Sequence, residues 1–134
     1  MAYALDTNTI IHLLQQTPTV ITRRDAAVAK GMQLIIPPYV NFEILRGFQY
    51  VPAPTKEELY KDLCNHCPIE EMNAEVWLKA AALYGDLRRK KFTMGDADLL
   101  IAAFCIVNGY TLVTNNIRHF EVIDGLKIED WTAG

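Results

Sequence analysis

Short apolar runs alternate with stretches of helical periodicity along the whole chain, and this alternation constrains the fold more than any other feature of the sequence. Strands separated by helices are joined by crossovers, so the sheet is mostly parallel and the fold class is α/β. The pattern predicts strands over residues 3–5, 33–36, 68–69, 111–113 and 127–128. It predicts helices over 7–15, 19–30, 40–49 and 73–90, with Gly31 supplying the left-handed residue that ends the second helix. Pro37-Pro38 halts the second strand, after which Val40, Ile44 and Phe48 repeat every four residues and Glu43 falls one position off that face. Beyond the break at Pro52 and Pro54, Thr55-Lys56-Glu57-Glu58 has the capping-box pattern of a helix start.

One run is apolar all round. Residues 99–107, Leu-Leu-Ile-Ala-Ala-Phe-Cys-Ile-Val, have no polar side, so a helix carrying them must be buried on most of its circumference. Asp96 and Asp98 stand at its start, where the helix dipole and free amides favour negative charge. Asp96 fits the N-cap, accepting from amides two or three residues on. Asp98, two positions later, faces elsewhere and is left for chemistry.

A chain of 134 residues that is 51% hydrophobic fits one domain over 1–134. At that size a domain buries roughly two thirds of the surface its unfolded form exposes. The longest apolar stretch is about half of the roughly 20 residues that cross a bilayer, and no basic segment precedes an apolar run at the N-terminus. Three cysteines, an odd number, point to reduced thiols, so the expectation is a soluble cytoplasmic protein with no membrane association. Cys64-Asn65-His66-Cys67 lacks a second ligand pair and reads as incidental thiols.

A net charge of −3 has the wrong sign for binding nucleic acid by bulk charge. Charge must then act locally, through Arg88-Arg89-Lys90-Lys91 and Arg23-Arg24, each of which also reads as a solvated helix face.

Asp6, Glu43, Asp98 and Asn116 can each bind a hard cation, and each stands in apolar surroundings. Each has a duller account alone: Asp6 as a helix cap, Glu43 as an exposed acid, Asp98 as a dipole partner, Asn116 as a turn residue. Together they fall at one edge. In an open parallel sheet, ligands bind beyond the carboxyl ends of the strands, and Asp6 and Asn116 follow two of those ends. Two carboxylates about 4 Å apart repel by roughly 4 kcal/mol at an effective dielectric of 20. That is a large share of the roughly 5–15 kcal/mol that a domain has to spare. If the groups meet, a cation of the Mg²⁺ or Mn²⁺ kind must offset them, which points to metal-assisted attack on a phosphodiester. The chain contains no serine, and His12, His66 and His119 are scattered, so no covalent nucleophile with its base is visible.

In these residues the chain resembles the PIN-domain ribonucleases and, among them, the VapC toxins of bacterial toxin–antitoxin pairs. The likeness runs through Leu5-Asp6-Thr7-Asn8, Glu43-Ile44-Leu45-Arg46-Gly47, Asp98-Leu99-Leu100-Ile101-Ala102-Ala103 and Leu112-Val113-Thr114-Asn115-Asn116 to Phe120 and Glu129-Asp130-Trp131. The resemblance implies a three-layer α/β/α sandwich and a Mg²⁺- or Mn²⁺-dependent endoribonuclease, with transfer RNA the commonest substrate class. By position it implies Asp6 and Asp98 as metal ligands and Glu43 as a metal- or water-orienting carboxylate. Thr7, Asn8 and Thr114 would hold Asp6 in one rotamer. Asn116 departs from the pattern, since that site is often an aspartate; an amide ligates a cation but brings no charge, and Glu121 is the nearby candidate to make up the deficit. The resemblance further implies a homodimer inhibited by a VapB-type antitoxin whose C-terminal segment lays a basic side chain over the acids.

Two other readings compete. A catalytically weak domain could serve mainly as a protein-interaction module, its acids forming a socket for a basic peptide; such a socket needs no metal. Aspartyl-nucleophile phosphatases also place an aspartate after the first strand, but they require a second acid two residues on, where this chain has Asn8.

Overall fold

The computed structural model describes residues 1–133, so the last residue of the expected domain lies outside the described residues. Its elements run β1 (Ala2–Leu5), α1 (Thr7–Leu14), α2 (Pro18–Ala29), β2 (Gln33–Ile35), α3 (Pro38–Tyr50), α4 (Pro54–His66), α5 (Ala74–Arg89), α6 (Asp96–Asn108), β3 (Thr111–Val113), α7 (Ile117–Phe120) and β4 (Ile128–Glu129). The strands form one sheet in the order β2-β1-β3-β4, every neighbouring pair parallel. Tyr3 lies opposite both Leu34 and Thr111, and Leu5 opposite Val113. The inner strands are covered by helices on both faces, which is why they read as continuous apolar runs.

Strand order reverses between β1 and β3, whose carboxyl ends point the same way. Helices linking parallel strands run back against them, so α1, α3 and α6 all begin at that rim. The core gathers Leu5, Ile10, Ile35, Val40, Ile101, Phe104, Leu112 and Trp131, all with almost no exposed surface. Within α6, Leu99 and Ile101 through Cys105 are buried, as its apolar circumference requires. The stripe of α5 that meets it is Val76, Ala80, Leu83 and Leu87. No helix among the described residues is long and apolar enough to cross a membrane.

Four expectations are corrected. Residues 68–69 make a single parallel bridge, Ile36 to Ile69, and no strand. Pro68 accepts from Ile36 N at 2.9 Å but has no N–H to extend the ladder. The last strand lies at Ile128–Glu129, one residue later than predicted. Helix α4 starts at Pro54, whose fixed φ suits a first helical position, so Thr55 is already inside it. Only the return half of a capping box forms, with Ala53 N donating to Glu57 Oε2 at 3.0 Å. Asp96, finally, is not the N-cap of α6: Gly95 occupies that place in extended conformation, and Asp96 is the exposed first helical residue.

Gly31 does adopt φ +75°, two residues past the end of α2 and directly after its C-cap Lys30. Cys64, Cys67 and Cys105 are free thiols, and burial pushes Cys67 up to about 11, which suppresses thiolate chemistry.

Candidate active site

Asp6 continues β1 by one ladder bond, its N–H donating to Val113 O at 2.9 Å. Its backbone stays extended at φ −73°, ψ 161°, and the chain then turns into α1. Oδ1 accepts from Thr7 N at 2.8 Å, so Asp6 is the cap of α1. Capping uses one oxygen. Oδ2 accepts from Thr114 Oγ1 at 2.8 Å and from Asn8 Nδ2 at 3.1 Å. Asn8 also accepts Asn115 N at 3.0 Å, which ties the turn after β3 to the start of α1. Thr7, Asn8 and Thr114 thus fix the carboxylate in one orientation, and Asp6 is only 6% exposed.

Burial is the main force that pushes the Asp6 carboxyl above its ordinary range. Hydrogen bonds from Thr114 and Thr7 pull it back, while the charges of Asp98 and Glu43 push it further up. Both contributions act at Asp6, which therefore feels the charge of an acid from α3 and of one from α6. Glu43, on the second turn of α3, accepts from Thr7 Oγ1 at 2.8 Å through Oε1 and faces Arg46 Nη2 at 3.5 Å through Oε2. Asp98, in the first turn of α6, lies with Oδ2 at 2.7 Å from His119 Nε2.

Asn116 stands at the N-cap of α7, exposed; its N–H donates to Thr114 Oγ1 at 3.1 Å. Glu121 is the exposed C-cap of the same helix. Among the described residues, no hydrogen bond ties either side chain, or that of Asp96, to the three acids.

His119 is the residue that sequence reasoning missed. His12 bonds Thr17 Oγ1 and His66 bonds Asp62 O, both local contacts, whereas His119 reaches an acid 21 positions away. The available signal was its place one helical turn beyond the Asn115-Asn116 turn, which returns it to the sheet rim.

No three His, Cys, Asp or Glu side chains close into a ready-made cation cage among the described residues. The donor set nevertheless fits a hard divalent cation: carboxylate oxygens in one field, one of them buried. Mg²⁺ is typically held by one or two carboxylates with several waters retained, which needs an open rim and no closed cage. The large cavity lies elsewhere, about 1020 Å³ between α1, α2 and α4, lined by aliphatic side chains such as Leu13, Ile21, Val28 and Leu63. It contains none of the three acids, so charge and not volume locates the site.

A parallel sheet with acids at its switch point is the frame of one nuclease class, and the family profile of the PIN domain matches residues 3–126. The chain belongs to the PIN-domain family. Its relatives over nearly the full length are VapC proteins. Ribonuclease VapC2 of Rickettsia felis is 29% identical over 98% of both chains. The tRNA(fMet)-specific endonuclease VapC of Salmonella typhimurium is 26% identical, again over 98% of both. The crystal structure of VapBC2 from Rickettsia felis bound to a promoter DNA fragment superposes with a TM-score of 0.91 at 26% identity, covering 98% of this chain and 99% of that one.

Proposed function

We propose that this protein is a metal-dependent endoribonuclease acting as the toxin of a toxin–antitoxin pair, with transfer RNA as its substrate class. The observation that carries the reading is the Asp6 carboxylate, only 6% exposed at the switch point and held by Thr7, Asn8 and Thr114, with Glu43 bonded to the same Thr7. The relatives' names support the substrate and the partner.

Asp6 and Asp98 would hold the cation, Mg²⁺ or Mn²⁺. When bound, it supplies a water of lowered pKa and offsets charge on the phosphate. Glu43, anchored through one oxygen by Thr7, would orient the attacking water or take up its proton. Asn116 supplies a neutral fourth group at the rim, and Glu121 and Asp96 add charge around it. Thr7, Asn8 and Thr114 keep Asp6 from reorganising as the reaction proceeds.

The protein works as a homodimer, inhibited by a VapB-type antitoxin that presents a cationic side chain to the acids. The exposed face of α5 supports self-association, with Trp77 55% and Leu78 73% exposed on one side of the helix. An antiparallel copy would set Glu75, in the first turn, against Arg88 and Arg89, in the last.

Incubating the chain, freed of any partner, with bulk transfer RNA and Mn²⁺ and then mapping the new ends tests this. Discrete cuts are expected; intact RNA at all metal concentrations refutes it.

A further inference from the structure

We propose that His119 is the positioning residue of Asp98, clamping one carboxylate oxygen so that the other is presented to the cation. The inference rests on the metal-dependent reading above. At 2.7 Å the His119 Nε2 to Asp98 Oδ2 contact has the length of a strong, charge-assisted bond. It occupies Oδ2, and no hydrogen bond among the described residues takes up Oδ1.

The ring is itself held. It packs edge-on against Phe120, centroids 5.6 Å apart at 77°, and Phe120 has no exposed surface. Its backbone N–H donates to Asn116 O at 3.2 Å, and Asn116 N donates to Thr114 Oγ1 at 3.1 Å. Thr114 in turn donates to Asp6 Oδ2 at 2.8 Å. The six-residue segment from Thr114 to His119 therefore grips both carboxylates, one at each end.

One segment, running from the end of β3 into α7, thus orients both carboxylates before any cation arrives. A site whose ligands are already oriented loses less on binding than one that must assemble them. Imidazole does this with two torsions, where a lysine or arginine would have more rotamer freedom to lose.

The test is Mn²⁺ binding, followed by the spin resonance of free Mn²⁺, in the wild type, His119→Phe and His119→Gln. Phenylalanine keeps the packing on Phe120 but removes the donor, and should weaken Mn²⁺ binding roughly 10–100-fold. Glutamine retains a donor and should recover most of the loss. Should His119→Phe fail to fold, His119→Leu against His119→Gln makes the same comparison. Unchanged affinity in the donorless variant, or a glutamine variant as weak as it, overturns the inference alone. Nitrogen coupling to Mn²⁺ bound by the wild type also overturns it, because His119 would then be a ligand. A wild type that binds no Mn²⁺ overturns the metal-dependent reading itself.

Discussion

The hydroxyl of Thr7 donates to Glu43 Oε1 at 2.8 Å, joining the first residue of α1 to the second turn of α3 across 36 positions of sequence. Glu43 is thereby held on the same side of the rim as Asp6, while Arg46 draws on its other oxygen. Thr7→Val keeps the shape and removes the donor. RNA cleavage should fall about 10-fold or more, as for other residues that orient a ligating carboxylate, with an unchanged melting temperature. A variant as active as the wild type would mean that Glu43 needs no such anchor.

Asp96 and Asp98 share the first turn of α6, yet among the described residues it is Asp98 whose side chain bonds another segment of the chain. Asp98→Asn should lower cleavage more than about 100-fold, within the range for loss of a positioned acid or base. Asp96→Asn, which changes an exposed charge, should cost little. Equal losses in a side-by-side RNA assay would break that division of labour.

Removing divalent ions with EDTA should abolish cleavage, and Mn²⁺ should restore it. A cation that binds only the folded form also stabilises it, by about 2.7 kcal/mol at 100 times its dissociation constant. The melting temperature should rise with Mn²⁺ in the wild type and stay put in Asp6→Ala. Full activity in EDTA would favour the interaction-module reading.

The raised carboxyl of Asp6 carries a pH signature. The native state holds this proton more tightly than the unfolded chain does. The residue's contribution is therefore most favourable below the ordinary value of 3.8 and is lost as pH rises through the elevated native value. Without metal, the unfolding free energy of the wild type relative to Asp6→Asn should move in favour of the wild type as pH drops from about 7 toward 4. Urea titrations across that range check it, and a difference that is flat or of opposite slope contradicts the electrostatic account.

If α5 forms the contact between copies, Leu78→Arg should shift the protein from dimer to monomer in sedimentation velocity while leaving the fold intact, since Leu78 is 73% exposed. A persistent dimer would place the contact elsewhere.

Much of this was written locally. The strand–helix alternation, the burial of most of the all-round apolar run 99–107 and the left-handed Gly31 were legible because each depends on residues within a turn or two of one another. The caps were harder. Asp96 looked like the start of α6, but Gly95 takes the extended place ahead of it, and Thr55 yielded to Pro54 in the same way. Single residues decide such boundaries, and neighbouring candidates differ by little free energy.

Periodicity and torsional preference sufficed to set an α/β chain with Asp6, Glu43 and Asp98 near strand ends or helix starts. The Thr114 contact to Asp6 across 108 positions was implied by the family resemblance, but only tertiary packing decided that Thr7 would anchor Glu43 and that His119 would take one oxygen of Asp98. The reason is geometric: a hydrogen bond tolerates a few tenths of an ångström, and no pattern confined to one segment controls a distance between two segments at that scale.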